Sequence, residues 1–174
     1  VTFNAGSGAA PSPTSKSVTY ASAYGALATT SRTGYTFGGW WTEPDGAGTQ
    51  VTEATEVTEA SNHSLYAKWT ANAYVATFVP EGGAVDPASK TVTYDETYGA
   101  LPTPTRTGYT FGGWWTGADG AGTQVTDNTT VSETSDHTLY AKWSVNVYTV
   151  TFNDEGGATP SPVSKSVTYA AAYG

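Results

Sequence analysis

Apolar and polar residues alternate with a period of two along much of this chain. Tyr148, Val150 and Phe152 fall on one face while Thr149 and Thr151 fall on the other, the spacing of a half-buried β-strand. The same strand is written as Ala76-Thr77-Phe78, preceded by Tyr74, and as Val1-Thr2-Phe3. Each copy runs into a Gly- and Pro-containing turn (6–13, 82–87, 156–162) and then into a Lys-x-Val-Thr-Tyr segment at 16–20, 90–94 and 165–169. Strand, turn and strand predict a hairpin at the start of each copy.

The densest apolar segment is Gly-Tyr-Thr-Phe-Gly-Gly-Trp-Trp at 34–41, inside an eleven-residue stretch (32–42) that returns unchanged at 106–116. Four aromatics and three glycines in eight residues predict the main core strand of a small β unit. The paired glycines, Gly38-Gly39 and Gly112-Gly113, let that strand bend or bulge. Between hairpin and core strand, Tyr-Gly-Ala-Leu (24–27, 98–101) leads into a crossover. In the second copy Pro102 and Pro104 exclude regular helix there. After the core strand come an Asp-Gly turn (45–46, 119–120), a short Thr-Gln-Val-Thr strand (49–52, 123–126), and a Thr- and acid-rich segment (53–62, 127–136) with room for one short helical turn. Leu-Tyr-Ala-Lys-Trp (65–69, 139–143) is the last strand, with Leu, Ala and Trp inward by alternation.

The 74-residue offset of the core strand makes this a repeat protein before anything else. The expected organisation is repeat 1 over 1–69, a linker at 70–73, repeat 2 over 74–143, a linker at 144–147, and the opening hairpin of a third repeat over 148–174. That last hairpin has neither the aromatic strand nor the Leu-Tyr-Ala-Lys-Trp strand. It is expected to fray, to dock on the second repeat, or to be completed by another chain. The expected core is Phe37, Trp40, Leu65 and Trp69 in repeat 1, and Phe78, Tyr94, Phe111, Trp114, Leu139 and Trp143 in repeat 2.

Composition then narrows the function classes. Units this small must lean on large aromatics, and all six Trp lie at repeat-equivalent positions. Seven basic against fifteen acidic residues give a net charge of −8, which argues against nucleic acid as a partner. The absence of Cys removes disulfides, thiolate metal sites and Cys nucleophiles. The absence of Met, even at position 1, reads as a segment cut from a larger protein. No apolar run approaches the roughly 20 residues of a membrane span, so no membrane insertion is expected in this segment.

The order Val-Thr-Phe, Gly-Gly turn, Lys-x-Val-x-Tyr, Leu-Pro-x-Pro-x-Arg-x-Gly-Tyr-x-Phe-x-Gly-Trp and Leu-Tyr-Ala-Lys-Trp, clearest at 101–115 and 139–143, resembles the Listeria–Bacteroides or internalin B-repeat family. Repeat 1 departs from it with Ala28 and Thr30 in place of Pro102 and Pro104. The resemblance implies small, mostly β, β-grasp-like domains strung in tandem in large bacterial surface proteins. It carries no catalytic residues to transfer.

The residues themselves offer little chemistry. His63 and His137, one per repeat, lack matching ligands or an acid partner and read as turn or surface residues. Acidic positions differ between the repeats, Glu43 becoming Gly117 and Glu56 becoming Thr130, which argues against a paired-carboxylate active site. Asp45 and Asp119 in their turns provide too few oxygens for calcium. No catalytic, metal or cofactor site is therefore expected. Adjacent Trp pairs are the one ligand candidate, because a regular strand sends neighbours to opposite faces. Trp41 and Trp115, with Tyr66 and Tyr140, are the candidate surface platform for a glycan or host protein. The competing reading is a glycine bulge that lets both Trp of each pair cover the core. The expected role is a structural spacer, a stalk on the bacterial cell surface or in a secreted protein, whose partners are its own neighbouring repeats. The alternatives are an adhesin module and a subunit joined head to tail with other copies.

Overall fold

The computed structural model describes residues 1–172. It is mostly β, with several sheets and two single-turn 3-10 segments, Pro44–Gly46 and Ala118–Gly120. Two compact units are formed. The first comprises Val1–Tyr74 together with Thr93–Glu96 and Thr130–Thr134, and the second comprises Val75–Val92, Thr97–Thr129 and the chain from Ser135 onward.

In the first unit, β1 (Thr2–Asn4), β2 (Tyr35–Trp41), β3 (Gln50–Val51) and β4 (Ser64–Ala71) make one sheet in the order β1-β4-β2-β3. β1 runs parallel to β4, with Phe3 opposite Leu65, and β2 runs antiparallel to both β4 and β3. The second copy is built alike. β5 (Ala73–Val79), β6 (Ser89–Thr93), β7 (Tyr109–Trp115), β8 (Gln124–Val125) and β9 (His137–Val145) form a sheet in the order β6-β5-β9-β7-β8, with Phe78 opposite Leu139. β10 (Val147–Thr151) and β11 (Ser164–Thr168) make a separate antiparallel hairpin.

The glycine pair decides how the aromatic strand meets the core. Phe37 sits opposite Trp69 and Trp40 opposite Ala67, so β2 spends three residues where β4 spends two. This is a β-bulge, and Gly39 takes φ +90° to make it, as Gly113 does at +95° in β7. Without the extra residue Phe37 and Trp40 would face opposite ways. With it their rings meet at 5.4 Å on one face, and Trp40 also packs on Phe3 at 4.8 Å. Trp40 and Trp114 are buried, each indole N–H donating at 2.8 Å to a crossover carbonyl, Ala28 O or Pro102 O. Burying an indole contributes on the order of 4–6 kcal/mol, which is how a unit of this size supports a core. Leu65, Phe78 and Leu139 are buried beside these rings, while Phe37, Trp69, Phe111 and Trp143 are half-buried and stacked in sequence against them.

Two expectations need correcting. Lys16–Tyr20 is not a strand: only an isolated bridge between Thr2 and Ser15 forms in the first hairpin. In the third copy, by contrast, Ser166, Val167 and Thr168 pair with Thr149, Tyr148 and Val147. The helical turn is not in 53–62 or 127–136 either, but at the Asp-Gly turns. The Thr-rich segments bind their own backbone instead: Thr55 Oγ1 accepts from Thr52 N–H at 2.8 Å and Thr129 Oγ1 from Thr126 N–H at 2.9 Å, the competition that keeps Thr out of helices.

Candidate functional site

The aromatic pairs come first, because they were the ligand candidates. Trp41 and Trp115 are half-buried on the face opposite Trp40 and Trp114. Each indole N–H is already committed to the carbonyl of the glycine three residues earlier, Gly38 O at 3.0 Å and Gly112 O at 3.2 Å. A lysine ammonium lies over each ring, Lys68 and Lys142, both at 4.8 Å. Tyr66 and Tyr140 are half-buried. Tyr66 borders a groove of 660 Å³ whose rim carries Glu43, Glu56 and Glu59. Among the described residues no three His, Cys, Asp or Glu side chains are grouped to hold a metal ion.

The histidines have a structural task the sequence did not reveal. Tyr24, buried in the first core, reaches His63 Nε2 at 2.6 Å, and Tyr98 reaches His137 Nε2 at the same distance. Each Nδ1 lies 3.0–3.1 Å from a backbone carbonyl, Ser61 O or Ser135 O. A carbonyl only accepts, so Nδ1 carries a proton, and in the neutral ring Nε2 is then the acceptor of the tyrosine hydroxyl. Burial, and then the charge of Glu59, raises the Tyr24 phenol above its ordinary value.

The most heavily connected site lies where one sequence repeat ends. Asn72, in the short connector after β4, donates its N–H to Gly34 O at 2.9 Å and accepts the Tyr94 N–H at 2.9 Å. Its side chain accepts from Thr36 Oγ1 at 2.6 Å and donates to Tyr74 Oη at 3.3 Å. Both backbone groups and both ends of the amide are used. Asn146 repeats the pattern with Gly108, Tyr169, Thr110 and Tyr148 at 2.9, 2.9, 2.7 and 3.2 Å.

A tyrosine lies on each of these glycines. A Cβ on Gly34 would come within 2.3 Å of the Tyr94 ring, and one on Gly108 within 2.2 Å of the Tyr169 ring. Both glycines also take positive φ, +76° and +78°. Tyr35 and Tyr109 meet the seated rings edge-on at 5.7 and 6.0 Å, and are themselves covered by Arg32 and Arg106 at 3.4 and 3.8 Å. Tyr94, expected in the core of repeat 2, is thus half-buried against Gly34 in the first compact unit. Asp95 adds a carboxylate that accepts from Tyr35 Oη at 2.8 Å and lies 3.6 Å from Arg32. The hydrogen bond to Asp95 is the main cause that holds the Tyr35 phenol above its ordinary value.

The model of the Listeria–Bacteroides repeat domain matches this chain twice, at residues 1–68 and 74–142. The chain belongs to the Listeria–Bacteroides repeat family. It is 37% identical over 145 residues, 76% of its length, to a putative Gly-rich membrane protein of Evansella cellulosilytica, of which it spans 17%. It is 39% identical over 104 residues, 58% of its length, to a putative membrane protein of the same organism, spanning 15% of it. With internalin H of Listeria monocytogenes it shares 37% over 113 residues, 65% of this chain and 20% of that one. The chain therefore spans a fifth or less of the length of these relatives. Among the described residues no helix is long and apolar enough to cross a membrane.

The sequence singled out 34–41 and 108–115 but not the asparagines. A signal was present: Asn follows each aromatic strand at the same distance, Gly34 to Asn72 and Gly108 to Asn146.

Proposed function

We propose that this chain is a structural spacer, a stalk segment of a larger bacterial surface protein with no catalytic role of its own. The observation that carries this reading is the saturation of Asn72. A connector meant to swing freely would leave its amide groups to water, whereas here every polar group of the connector asparagine is bonded inside the first compact unit. We read each unit as β-grasp-like, on the strength of a mixed sheet whose first strand runs parallel to its last and antiparallel pairing for the rest. Hydrogen exchange tests the spacer reading. The amides of Asn72 and Tyr94 are expected to exchange as slowly as those of β2 and β4. Exchange at the rate of an unstructured peptide would make the connector a free tether and overturn it.

The adhesive alternative has less support, because Trp41 and Trp115 already spend their N–H groups and a ring face on their own unit. Titration with a panel of polysaccharides followed by Trp fluorescence discriminates the two: the spacer gives no response, and a saturable change lost in Trp41→Ala would favour adhesion.

A further inference from the structure

Each connector asparagine has a pair of tyrosines in ring contact beside it. Tyr35 meets Tyr94 edge-on at 5.7 Å in the first compact unit, and Tyr109 meets Tyr169 at 6.0 Å in the second. The seating on glycine orients the two pairs alike. Cε1 of Tyr94, the carbon next to the one that bears the hydroxyl, lies 2.4 Å from where a Gly34 Cβ would stand, and Cε1 of Tyr169 lies 2.4 Å from the same point on Gly108. Each seated ring thus brings one of its two ortho carbons, the positions at which phenoxyl radicals couple, to the backbone just ahead of its partner tyrosine. Solvent reaches all four rings: Tyr35, Tyr94 and Tyr109 are half-buried and Tyr169 is 39% exposed.

The composition directs oxidants to these rings. With neither Cys nor Met, the sulfur groups that take up oxidants most readily are missing, and 12 Tyr and 6 Trp are the oxidisable side chains that remain. The same lack of Cys denies these small units the disulfide staple on which small domains commonly depend. At the first pair a proton acceptor is already in place, because the Tyr35 hydroxyl donates to Asp95 Oδ2 at 2.8 Å. A phenol that loses an electron becomes a strong acid, so the electron can leave Tyr35 as its proton moves to that carboxylate. The second pair has Ala170 at the corresponding place and no such carboxylate.

We propose that Tyr35 with Tyr94, and Tyr109 with Tyr169, are sites of oxidative cross-linking, each pair joined by a carbon–carbon bond between positions ortho to the hydroxyls. The co-reactants are hydrogen peroxide and a one-electron oxidant of the haem peroxidase class. Each ring gives up one electron and its hydroxyl proton, the two radicals couple at ortho carbons, and the hydrogens on those carbons pass through solvent to the oxygens, which restores both phenols. The pair as a whole loses two electrons and two protons, and these reduce one hydrogen peroxide to two waters. The first bond closes a covalent loop that runs from β2 through β6 to Tyr94, and it restricts the unfolded chain as a disulfide does. The cross-link goes beyond the spacer reading and shares with it only the seating of Tyr94.

The test treats the dilute full chain with a haem peroxidase and hydrogen peroxide. Intact mass should fall by two hydrogens for each link while the chain stays monomeric on a denaturing gel, and peptide mapping should recover Tyr35 joined to Tyr94 and Tyr109 joined to Tyr169. Tyr94→Phe keeps a ring on Gly34 without a phenol and should abolish the first link alone. Asp95→Ala should slow the first link roughly 10-fold, less than the loss of a buried general base because Asp95 is 53% exposed. The linked chain should unfold at a higher urea concentration, and Tyr94→Phe treated alike should not. Oxygen added to Trp with both pairs left unlinked, or chains joined through Tyr20, which is 62% exposed, overturns the proposal. A link between Tyr35 and Tyr94 that forms equally fast in urea, where ring contact is lost, overturns it too. Failure of the spacer reading looks different, because then the Tyr94 amide exchanges fast before any oxidant is added; a protected Tyr94 amide with no link refutes the cross-link alone.

Discussion

The two junctions of this chain share a frame and differ in one side chain. At the first, Tyr94 is followed by Asp95, whose carboxylate takes the Tyr35 hydroxyl and sits near Arg32. At the second, Tyr169 is followed by Ala170, and Arg106 instead donates to Glu81 O at 3.0 Å. The ring on glycine, the tyrosine N–H on the asparagine carbonyl and the saturated asparagine amide are nevertheless the same in both. Ring packing and backbone bonds therefore make the junction, and the carboxylate is an addition. Its energy is small on physical grounds, since Asp95 is half exposed and a solvent-facing ion pair at that distance contributes about 0–1 kcal/mol.

A second contrast isolates what a complete repeat adds. Phe3 and Phe78 are 4% and 2% exposed, while Phe152, the same residue of the same motif, is 41% exposed. The hairpin of the third copy forms with full antiparallel pairing and its tyrosine is seated, yet among the described residues no Leu-Tyr-Ala-Lys-Trp strand lies beside its apolar face. Local pairing needs only the hairpin. Core burial needs strands that lie some 60 residues further along the chain, as between Phe3 and Leu65.

The frame should break first at its glycine. Gly34→Val puts a branched carbon where the Tyr94 ring lies and a β-branched residue at positive φ, so urea denaturation of the first unit should show a loss of roughly 3 kcal/mol. Gly108→Val should act the same way on the second unit, and a large loss at only one of the two would mean the junctions are not equivalent. Next is Asn72→Ala, which removes the bonds to Thr36 and Tyr74 while keeping those of the backbone. It should cost about 1–2 kcal/mol and speed exchange of the Tyr94 amide, with Asn146→Ala giving a matching change at Tyr169.

The smallest effect is the one that separates the junctions. Asp95→Ala should cost under about 1 kcal/mol and leave Tyr94 seated. It also has a pH signature. The Tyr35 phenol is held above its ordinary value of 10.0, mainly by its hydrogen bond to Asp95. Its contribution to stability is therefore complete below that value and is lost as pH rises through the folded one. Ultraviolet titration of tyrosinate should show Tyr35 ionising at lower pH in Asp95→Ala. An unmoved Tyr35 midpoint would mean the carboxylate does not hold the phenol in solution.

Much of this was legible in the chain itself. Period-two alternation, turn residues and an eleven-residue stretch written twice dictate a mostly β repeat protein, because strand faces and turn conformations are local properties that each segment carries in its own residues. The family followed from the same motifs, and the aromatic strand with its two glycines was visible as the centre of the core. Which indole turns inward was decided only by the sheet. The bulge depends on where Phe37 and Trp40 meet β4, a register set by residues some 30 positions away, and it sends Trp40 into the core and Trp41 to the other face. Tertiary structure alone likewise gave His63 its core tyrosine, and turned Asn72, an unremarked connector residue, into the point where Gly34, Thr36, Tyr74 and Tyr94 converge. Those pairings join residues far apart in the chain, and a polar side chain's partner is fixed only when the backbone around it has closed.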